Sequence, residues 1–554
     1  MEVVLVILVL AGTALLSWPL GRYLAWAMDP PEGAARAGLR GRFEGLLARL
    51  DAAGPPHWKR YAVSLLVFNV VTWAWAYAVL VTQHLLPLNP DGKGPMEPSL
   101  AFNTVSSFVT NTNLQHYSGE VALSYFSQLA VICWLQFVSA ATGIAALTAL
   151  CRALAGREVG GFFRDLGRAC VLVLLPLSLV LATLLILGGI PMTFEGAAVA
   201  HTLEGAMQTI ARGPVAAVVA IKQLGTNGGG YFGPNSTHPF ENAGFFTNVV
   251  SNVSILLIPM GVVWMFGRIT GRRRHAAVVF AVMGVFLVIF ASLAIAFETA
   301  PAPALAGLPV TQAPNLEGKE LRFGAAAGPL WAVSTTATSN GSVNSMHDSL
   351  NPLTGLLPLT GMWLNVIYGG VGVGFINMFL FIVVAVFIAG LMVGRTPEYL
   401  TRKVEASEMK LAALALLLHP FLILAGTALF AATPWGQGTV KNPGSHGFSE
   451  ILYEFSSAAA NNGSGFEGLG DNTAPWNVAT GLAMLFGRFL PIFAPLAIAA
   501  SLGRKRPTPE TTGTFRTDGL LFGVVLFGTV LLVGALLFLP VAILGPIADH
   551  LAPL

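Results

Sequence analysis

Long apolar stretches alternate with short polar segments along the whole 554-residue chain. Ten of these stretches are long enough to cross a bilayer, which takes about 20 apolar residues as a helix. We place them at 3–25, 61–85, 122–150, 169–190, 243–267, 275–297, 360–394, 410–432, 475–501 and 517–545. The pattern predicts an all-α polytopic membrane protein with ten transmembrane helices.

Every second loop between these predicted helices is basic. Loops 22–60, 152–168, 268–274, 395–410 and 504–516 hold 23 of the 30 Lys and Arg residues. Short loops rich in Lys and Arg mark the cytoplasmic side of a membrane protein. The charge pattern therefore predicts a multi-pass membrane protein whose five basic loops face the cytoplasm and, with ten spans, whose two termini lie outside.

Four short polar segments interrupt the apolar pattern on the predicted outer side. Each follows a run of about ten apolar or small residues (101–109, 215–224, 329–338 and 448–459), which is too short to cross and predicts a re-entrant pore helix. The segments are turn 1, Thr110-Asn111-Thr112-Asn113; turn 2, Thr226-Asn227-Gly228-Gly229; turn 3, Ser339-Asn340-Gly341-Ser342; and turn 4, Asn461-Asn462-Gly463-Ser464.

The four turns are almost evenly spaced. Aligned on their Asn residues, they lie 116, 113 and 122 residues apart. Even spacing predicts four helix–pore helix–helix repeats with pseudo-four-fold symmetry, at 61–150, 169–267, 275–394 and 410–501, with flanking helices at 1–25 and 517–545. A single Asn-Gly is by itself an ordinary turn, and two of these segments also fit a glycosylation sequence.

The residue types of the four turns suit a filter for a dehydrated monovalent cation. Backbone carbonyls can replace the water shell of such an ion, and Gly permits the dihedral angles that this requires. No charged residue lies in any turn, whereas calcium and anion pores use rings of charged side chains. All sixteen turn residues are therefore predicted to bind K⁺, with Gln115 and Gly230 as supports. Thr112 stands where this alignment has Gly elsewhere, so turn 1 should be the stiffest wall.

Two further features predict gating or translocation. Arg488 lies inside a predicted span, where a charge must face the interior of the bundle or water; the alternatives are a structural ion pair or a side chain that extends to the membrane surface. Gly370 and Gly372 lie in a Gly-rich stretch of the seventh span, which predicts a break beneath turn 3 or, equally, close helix packing. Lys222 and Arg212 are expected to be surface charges, and His116, His238 and His347 are expected to line the mouth.

With the turns in place, the chain resembles the superfamily of potassium transporters built from four joined helix–pore–helix units. It is most similar to the family of potassium-binding A subunits of Kdp potassium-transporting ATPases. The match is carried by 110–120, by 225–232 with Asn235 and 239–242, by 338–343 and by 461–466.

The resemblance implies that extracellular K⁺ binds at the filter and passes through an intramembrane tunnel to a partner P-type ATPase catalytic subunit. A third accessory subunit and a small single-span subunit would complete the complex, which would lie in a bacterial plasma (inner) membrane with both termini of this chain in the periplasm. Arg488 would correspond to the family's Arg below the filter. No cofactor other than bound K⁺ and no nucleic acid are expected.

The sequence also bears on catalysis. It contains neither an Asp-Lys-Thr-Gly phosphorylation site nor a Walker A loop, and its longest predicted cytoplasmic segment, 22–60, is too short for a nucleotide-binding domain. We therefore expect a non-hydrolytic subunit of an ATP-driven complex. The alternatives are a self-sufficient Trk/Ktr-type channel or transporter and, with least support, a membrane-embedded enzyme, for which no convergent catalytic residues are found.

Overall fold

The computed structural model describes residues 2–31, 38–51, 56–302, 309, 313–392, 394, 396–509 and 515–551. Arg36 and Arg395, two of the basic residues counted above, lie outside these ranges. The described chain is mostly helical, so the predicted all-α fold class is confirmed.

Ten helices in the described ranges are long and apolar enough to cross a membrane, which confirms the predicted number. These first to tenth spans are Glu2–Met28, Trp58–Leu85, Ser127–Leu154, Phe162–Leu187, Phe245–Ile269, Arg273–Thr299, Val373–Met392, Ala406–Ala431, Ala474–Arg504 and Leu520–Leu551. Wider π-helical turns occur within three of them, at Ser127–Cys133, Ala169–Leu174 and Ile543–Ile547. In the first, fourth, eighth and tenth spans only 28% of the residues in the most apolar stretch are buried inside the protein, as expected of helices that face lipid.

Four shorter helices lie between the spans and end inside the protein: Pro98–Val109, Val215–Leu224, Ala327–Ala337 and Gly444–Ala460. The first three contain 12, 10 and 11 residues and are therefore about 15–18 Å long, roughly half the hydrocarbon thickness. The start of the first of these helices is fixed by its sequence. Pro98 is its first residue, and the Glu97 side chain caps it by accepting from the Leu100 N–H. These are the predicted re-entrant helices.

The seventh span differs from its prediction. Instead of one helix at 360–394, the structure has Pro352–Leu364 and Val373–Met392, joined by a non-helical segment that we call the inner loop (365–372). Asn365, Tyr368 and Gly372 have φ angles of +49°, +61° and +83° in this loop. Such left-handed backbone cannot continue a right-handed helix, so the helix ends at Leu364.

The remaining elements are short. Two antiparallel hairpins pair Ala198–His201 with Met207–Ile210 and Glu398–Tyr399 with Arg402–Lys403. Short helices lie at Gly38–Ala48, Gly119–Ala122, Asn235–Thr237, Leu321–Phe323 and Pro434–Gln437. The sequence pattern did not predict these elements.

The basic loops meet on one side of the molecule, which we call the basic side. Arg152 pairs with Asp29 and Asp165 at 3.0 and 2.8 Å, and Arg402 donates to the Leu154 carbonyl at 2.6 Å. Two more side-chain hydrogen bonds join the remaining loops: Arg157 donates to the Ile269 carbonyl, and Lys505 donates to the Lys403 carbonyl. The re-entrant helices begin on the opposite side, which we call the mouth side.

Candidate functional site

The four re-entrant helices end in the same backbone conformation. In each, a residue with positive φ is followed two residues later by another: Asn111 and Asn113, Thr226 and Gly228, Ser339 and Gly341, Asn461 and Gly463. The N–H of the residue between them donates to the carbonyl five residues earlier, from Thr112 to Ser107, Asn227 to Lys222, Asn340 to Thr335 and Asn462 to Ser457, at 2.8–2.9 Å. The four turns are therefore equivalent pieces of structure.

This equivalence changes the alignment of turn 1 by one residue. Thr112 corresponds to Asn227, Asn340 and Asn462, and Asn113 takes the position of the glycines. The expectation that Thr112 replaces a Gly is thus wrong. Asn is the ordinary side chain that best tolerates left-handed backbone, so it can do here what Gly does in the other turns.

Neighbouring turns touch through their glycines, with no space left for a side chain. A Cβ added to each would lie against the next turn: Gly228 at 1.9 Å from the Asn340 carbonyl oxygen, Gly341 at 2.2 Å from that of Asn462, Gly463 at 2.1 Å from that of Thr112, and Gly229 at 2.9 Å from Asn113 Cβ. The contacts run from turn 2 to 3, 3 to 4, 4 to 1 and back to 2. The four turns therefore form one closed ring.

Asparagine side chains also cross between the turns. The Nδ2 groups donate from Asn111 to the Thr226 carbonyl, Asn340 to the Lys222 carbonyl, Asn461 to the Thr112 hydroxyl and Asn462 to the Thr335 carbonyl, at 2.9–3.0 Å. The predicted supports also join turns: the Gln115 amide accepts from the Gly230 N–H at 2.7 Å and donates to its carbonyl at 3.2 Å. These bonds fix the spacing of the ring.

A cavity of about 470 Å³ opens on the mouth side of the ring. Turn residues Asn113, Gly341, Gly463 and Ser464 line it. Both polar atoms of the Asn113 amide are buried without a hydrogen-bond partner among the described residues. A buried amide of this kind is normally satisfied by water or a ligand, so the floor of the cavity suits a hydrated ion.

The inner loop passes directly beneath the ring and contacts turns 2 and 3 and the end of the fourth re-entrant helix. The Val371 N–H donates to the Thr226 hydroxyl at 2.9 Å. The Asn365 amide accepts from the Ser339 hydroxyl at 2.7 Å and donates to the Ala460 carbonyl at 3.2 Å. The inner loop is therefore bonded to the underside of the ring at three points.

The two glycines singled out in the inner loop have different surroundings. A Cβ at Gly370 would lie 3.5 Å from Ser339 Cβ, which is ordinary contact, so Gly370 faces turn 3. A Cβ at Gly372 would lie 2.2 Å from the carbonyl oxygen of Gly143 in the third span. The sequence left a break and close packing as alternatives, and the structure contains both, with the packing at the end of the break.

Arg488 lies in the ninth span, one helical turn beyond Met484, whose carbonyl accepts from Asn461 of turn 4 at 3.0 Å. The side chain is only 3% exposed. Its Nη2 has no hydrogen-bond partner, and no acidic group accompanies it, among the residues that the structure describes. The ion pair considered as an alternative is thus not found there, and the charge lies unpaired beneath turn 4.

A second, much smaller cavity of about 40 Å³ lies beside the inner loop at the level of Arg488. Its walls include Asn365 of the loop, Gly487 of the ninth span and His419 of the eighth. A space of this size holds one or two water molecules.

Lys222 is not a surface charge, so the prediction from the sequence is wrong at this position. It is fully buried at the end of the second re-entrant helix and forms an ion pair with the equally buried Glu241. Nothing in the local pattern signals this, because the partner comes from a segment 19 residues later. Arg212 is partly exposed, as expected, and pairs with Glu195 at 2.7 Å.

The mouth histidines do not line the cavity as expected. His116 is buried behind it, with Nδ1 at 2.7 Å from the Asn477 side-chain oxygen and Nε2 at 3.0 Å from Glu454. Although burial opposes a charged ring, Asp471 and Glu454 raise the pKa of His116 to about 9. Burial lowers the pKa of His347 to about 3, so that ring is neutral. His238 stacks on Phe232, with ring centroids 3.9 Å apart.

Comparison with known proteins gives concordant results. A family described as the potassium-transporting ATPase A subunit matches residues 6–551. The chain is 51% identical over 498 residues, or 89% of each chain, to the potassium-transporting ATPase potassium-binding subunit of Geobacillus kaustophilus (strain HTA426). It is 47% identical over 566 residues to the protein of the same name from Phocaeicola vulgatus, covering 100% of this chain and 99% of that one.

Among solved structures, the chain resembles the potassium transporter TrkH from Vibrio parahaemolyticus. The TM-score is 0.51 at 14% sequence identity, over 88% of this chain and 97% of the transporter. At this identity the likeness shows the fold alone, and it agrees with the predicted helix–pore helix–helix architecture.

Proposed function

Because the chain belongs to the potassium-transporting ATPase A subunit family, we propose that it is the potassium-binding subunit of an ATP-driven K⁺ uptake complex. It binds extracellular K⁺ at the ring of four turns and passes the ion into the membrane, to a partner P-type ATPase subunit. The sixteen turn residues form the filter, with Gln115 and Gly230 as supports.

The observation that carries this proposal is the closed ring beneath the mouth cavity, in which three glycines lie against carbonyl oxygens of the next turn and Gly229 lies against Asn113. Four turns packed this tightly hold their peptide oxygens at fixed distances from a common axis. Fixed carbonyl oxygens compensate a K⁺ ion for its lost water without a permanent negative charge. None of the sixteen turn residues is acidic, so binding rests on dipoles and suits a monovalent ion.

Arg488 and the inner loop, with Gly370 and Gly372, control what happens below the filter in this proposal. A positive charge at about 10 Å repels K⁺ by roughly 1.7 kcal/mol at an effective dielectric constant of about 20. Together with the loop, it opposes direct leakage toward the basic side. The small cavity beside Asn365 offers the ion a sideways position instead.

ATP hydrolysis belongs to a partner in this scheme. The two relatives are named as potassium-binding subunits, in agreement with the expectation that this chain is non-hydrolytic. The third accessory subunit, the small single-span subunit, the bacterial inner membrane and the periplasmic termini remain proposals that rest on the resemblance and on the charge pattern. A self-sufficient Trk/Ktr-type transporter is the weaker alternative, because the likeness to TrkH is confined to the fold.

The test compares two glycine variants in the complex purified with its partner subunits. Gly463→Ala places a methyl group against the Thr112 carbonyl at a φ of +104°, so we expect at least a ten-fold rise in the K⁺ concentration that half-saturates ATP hydrolysis. Gly528→Ala, at a tenth-span position with nothing within 4 Å, is the matched control and should have no effect. An unchanged K⁺ dependence in a correctly assembled Gly463→Ala complex would refute the filter assignment.

A further inference from the structure

Turn 2 lacks the internal hydrogen bonds that hold turns 3 and 4. In turn 3 the Asn340 side-chain oxygen accepts from the Ser342 N–H at 2.9 Å, and in turn 4 Asn462 accepts from the Ser464 N–H at 3.0 Å. The hydroxyls of the same two serines donate to the same oxygens. Turn 2 has Gly229 at this position and therefore no hydroxyl to contribute.

A second position differs in the same way. Five residues before the central Asn, turns 3 and 4 have hydroxyls that bond within the turn: Thr335 donates to Asn340 at 3.2 Å, and Ser457 accepts from the Gly463 N–H at 2.9 Å. Turn 2 has Lys222 there. Its ammonium group makes no bond to its own turn and reaches the segment that follows on the mouth side.

Lys222 connects two side chains of that segment. Its Nζ donates to the Asn235 side-chain oxygen at 2.7 Å and pairs with the Glu241 carboxylate. Glu241 in turn accepts from the Phe232 N–H at 2.9 Å. Both charged side chains of the pair are 0% exposed. A buried charge is stable only while its partner remains, so these contacts form as a unit.

The connection returns to the ring through Asn235. Its Nδ2 donates to the Gly228 carbonyl at 2.7 Å, while its own backbone is held at a φ of +56°. Gly228 is the ring residue that abuts the Asn340 carbonyl, and the Lys222 carbonyl accepts from the Asn340 amide at 3.0 Å. The Lys222 backbone carbonyl thus bonds to turns 2 and 3 directly, while its side chain reaches turn 2 only through Asn235.

We propose that Lys222, Glu241 and Asn235 form an external clamp that positions turn 2 and sets the ion selectivity of the ring. The clamp replaces the hydroxyls that turn 2 lacks and fixes the direction of the Gly228 carbonyl. Its members are positioning residues and do not bind the ion. This inference rests on the proposed function, because selectivity has meaning only if the ring is the K⁺ filter.

The first experiment uses Lys222→Met, which keeps the length of the side chain and removes its charge, in the complex purified with its partners. The half-saturating concentrations of K⁺ and Rb⁺ for ATP hydrolysis are measured separately. We expect their ratio to change at least five-fold, with the maximal rate within two-fold of wild type. Glu44→Gln breaks a different buried pair, with Arg168 at 2.7 Å on the basic side, and should leave the ratio unchanged.

The second experiment is a double-mutant cycle between Lys222→Met and Asn235→Ala. If the two residues act as one clamp, the double variant should change the K⁺/Rb⁺ ratio no more than either single variant does. Lys222→Arg keeps the charge and should restore part of the wild-type ratio. A general loss of stability would lower the melting temperature without moving the ratio.

An assembled Lys222→Met complex with a wild-type K⁺/Rb⁺ ratio would overturn the clamp. If Lys222→Met fails to assemble, Asn235→Ala decides, because it removes the bond to Gly228 and leaves the ion pair intact; a wild-type ratio in that variant overturns the clamp equally. Gly463→Ala separates the two proposals. If it changes K⁺ dependence while the clamp variants do not, only the clamp is wrong; if it too has no effect, the filter assignment is wrong.

Discussion

The space above the ring and the space beneath it differ in volume and in the charged side chains around them. Above lies a cavity of about 470 Å³ whose wall holds three acidic side chains, Glu320, Glu467 and Asp471, and one basic side chain, Lys319. Beneath lie the buried inner loop, Arg488 with no acidic partner in the part of the chain that the structure describes, and a cavity of about 40 Å³. In the proposed scheme, cations enter through a wide, polar mouth and meet a narrow floor that carries the positive charge of Arg488. If the ring is the filter, this difference assigns the control of passage to the underside and not to the entrance.

The largest expected effect comes from distorting the floor. Gly372→Val puts a side chain against the Gly143 carbonyl at a φ of +83°, so the inner loop cannot keep its position under the ring. We expect K⁺ transport into proteoliposomes to fall by more than 100-fold, while K⁺ binding changes by less than about five-fold. Gly528→Val is the control. Equal losses of binding and transport would mean that the loop is part of the filter and that floor and entrance are not separate.

Removing the charge of the floor should have the next largest effect. Arg488→Gln leaves a polar side chain of similar shape without the repulsion, so we expect about ten-fold less K⁺ transported per ATP hydrolysed in an assembled complex. Arg488→Lys keeps the charge and should recover most of the coupling. Normal transport by Arg488→Gln would reduce this residue to a packing role.

The entrance should respond more weakly, and with a defined dependence on pH. The Asp471 carboxylate is partly exposed to the cavity but enclosed by protein, and this burial raises its pKa to about 6. As the pH rises from 5 to 7 the group loses its proton and the mouth gains negative charge, so the half-saturating K⁺ concentration should fall about two-fold. Asp471→Asn should remove this step. The effect should also shrink at high ionic strength.

The smallest effect is expected from a mouth-side charge cluster that does not face the ring. His446 lies 2.9 Å from both Asp348 and Asp549. Burial opposes its charge, but the two carboxylates raise its pKa to about 10. Its contribution to stability is therefore complete below about pH 6.5 and disappears as the pH passes 10. His446→Gln should lower the melting temperature by about 2 °C at pH 7 and by nothing above pH 10, with K⁺ dependence unchanged.

Hydropathy and charge predict the global plan of this molecule because both follow from the solvent. A helix in lipid must be apolar over its full length, so hydropathy predicts the number of spans. The positions of Lys and Arg predict which loops lie together on the basic side. The break in the seventh span was harder to place. Gly370 and Gly372 signalled it, but Asn365, where the helix ends, is an ordinary polar residue until its φ angle is known.

The sequence was less informative about the ring because equivalence there is a property of the backbone. Asn113 has the left-handed backbone that Gly463 has in turn 4, and an alignment of the four sequence segments does not show this. Lys222 was missed for a related reason: its partner Glu241 is brought to it by the fold, so local polarity predicts a surface position. The residues that form the turns could be predicted from the sequence. The atomic contacts between neighbouring turns could not.

The re-entrant helices all run from the mouth side and end at the ring. The peptide dipoles of a helix sum to roughly half a negative charge at its carboxyl end, so four converging ends supply about two. This field comes from peptide groups of the main chain, which do not titrate, so it does not change with pH. Rejection of anions at the ring should therefore persist in acid, even when every mouth carboxylate has been neutralised.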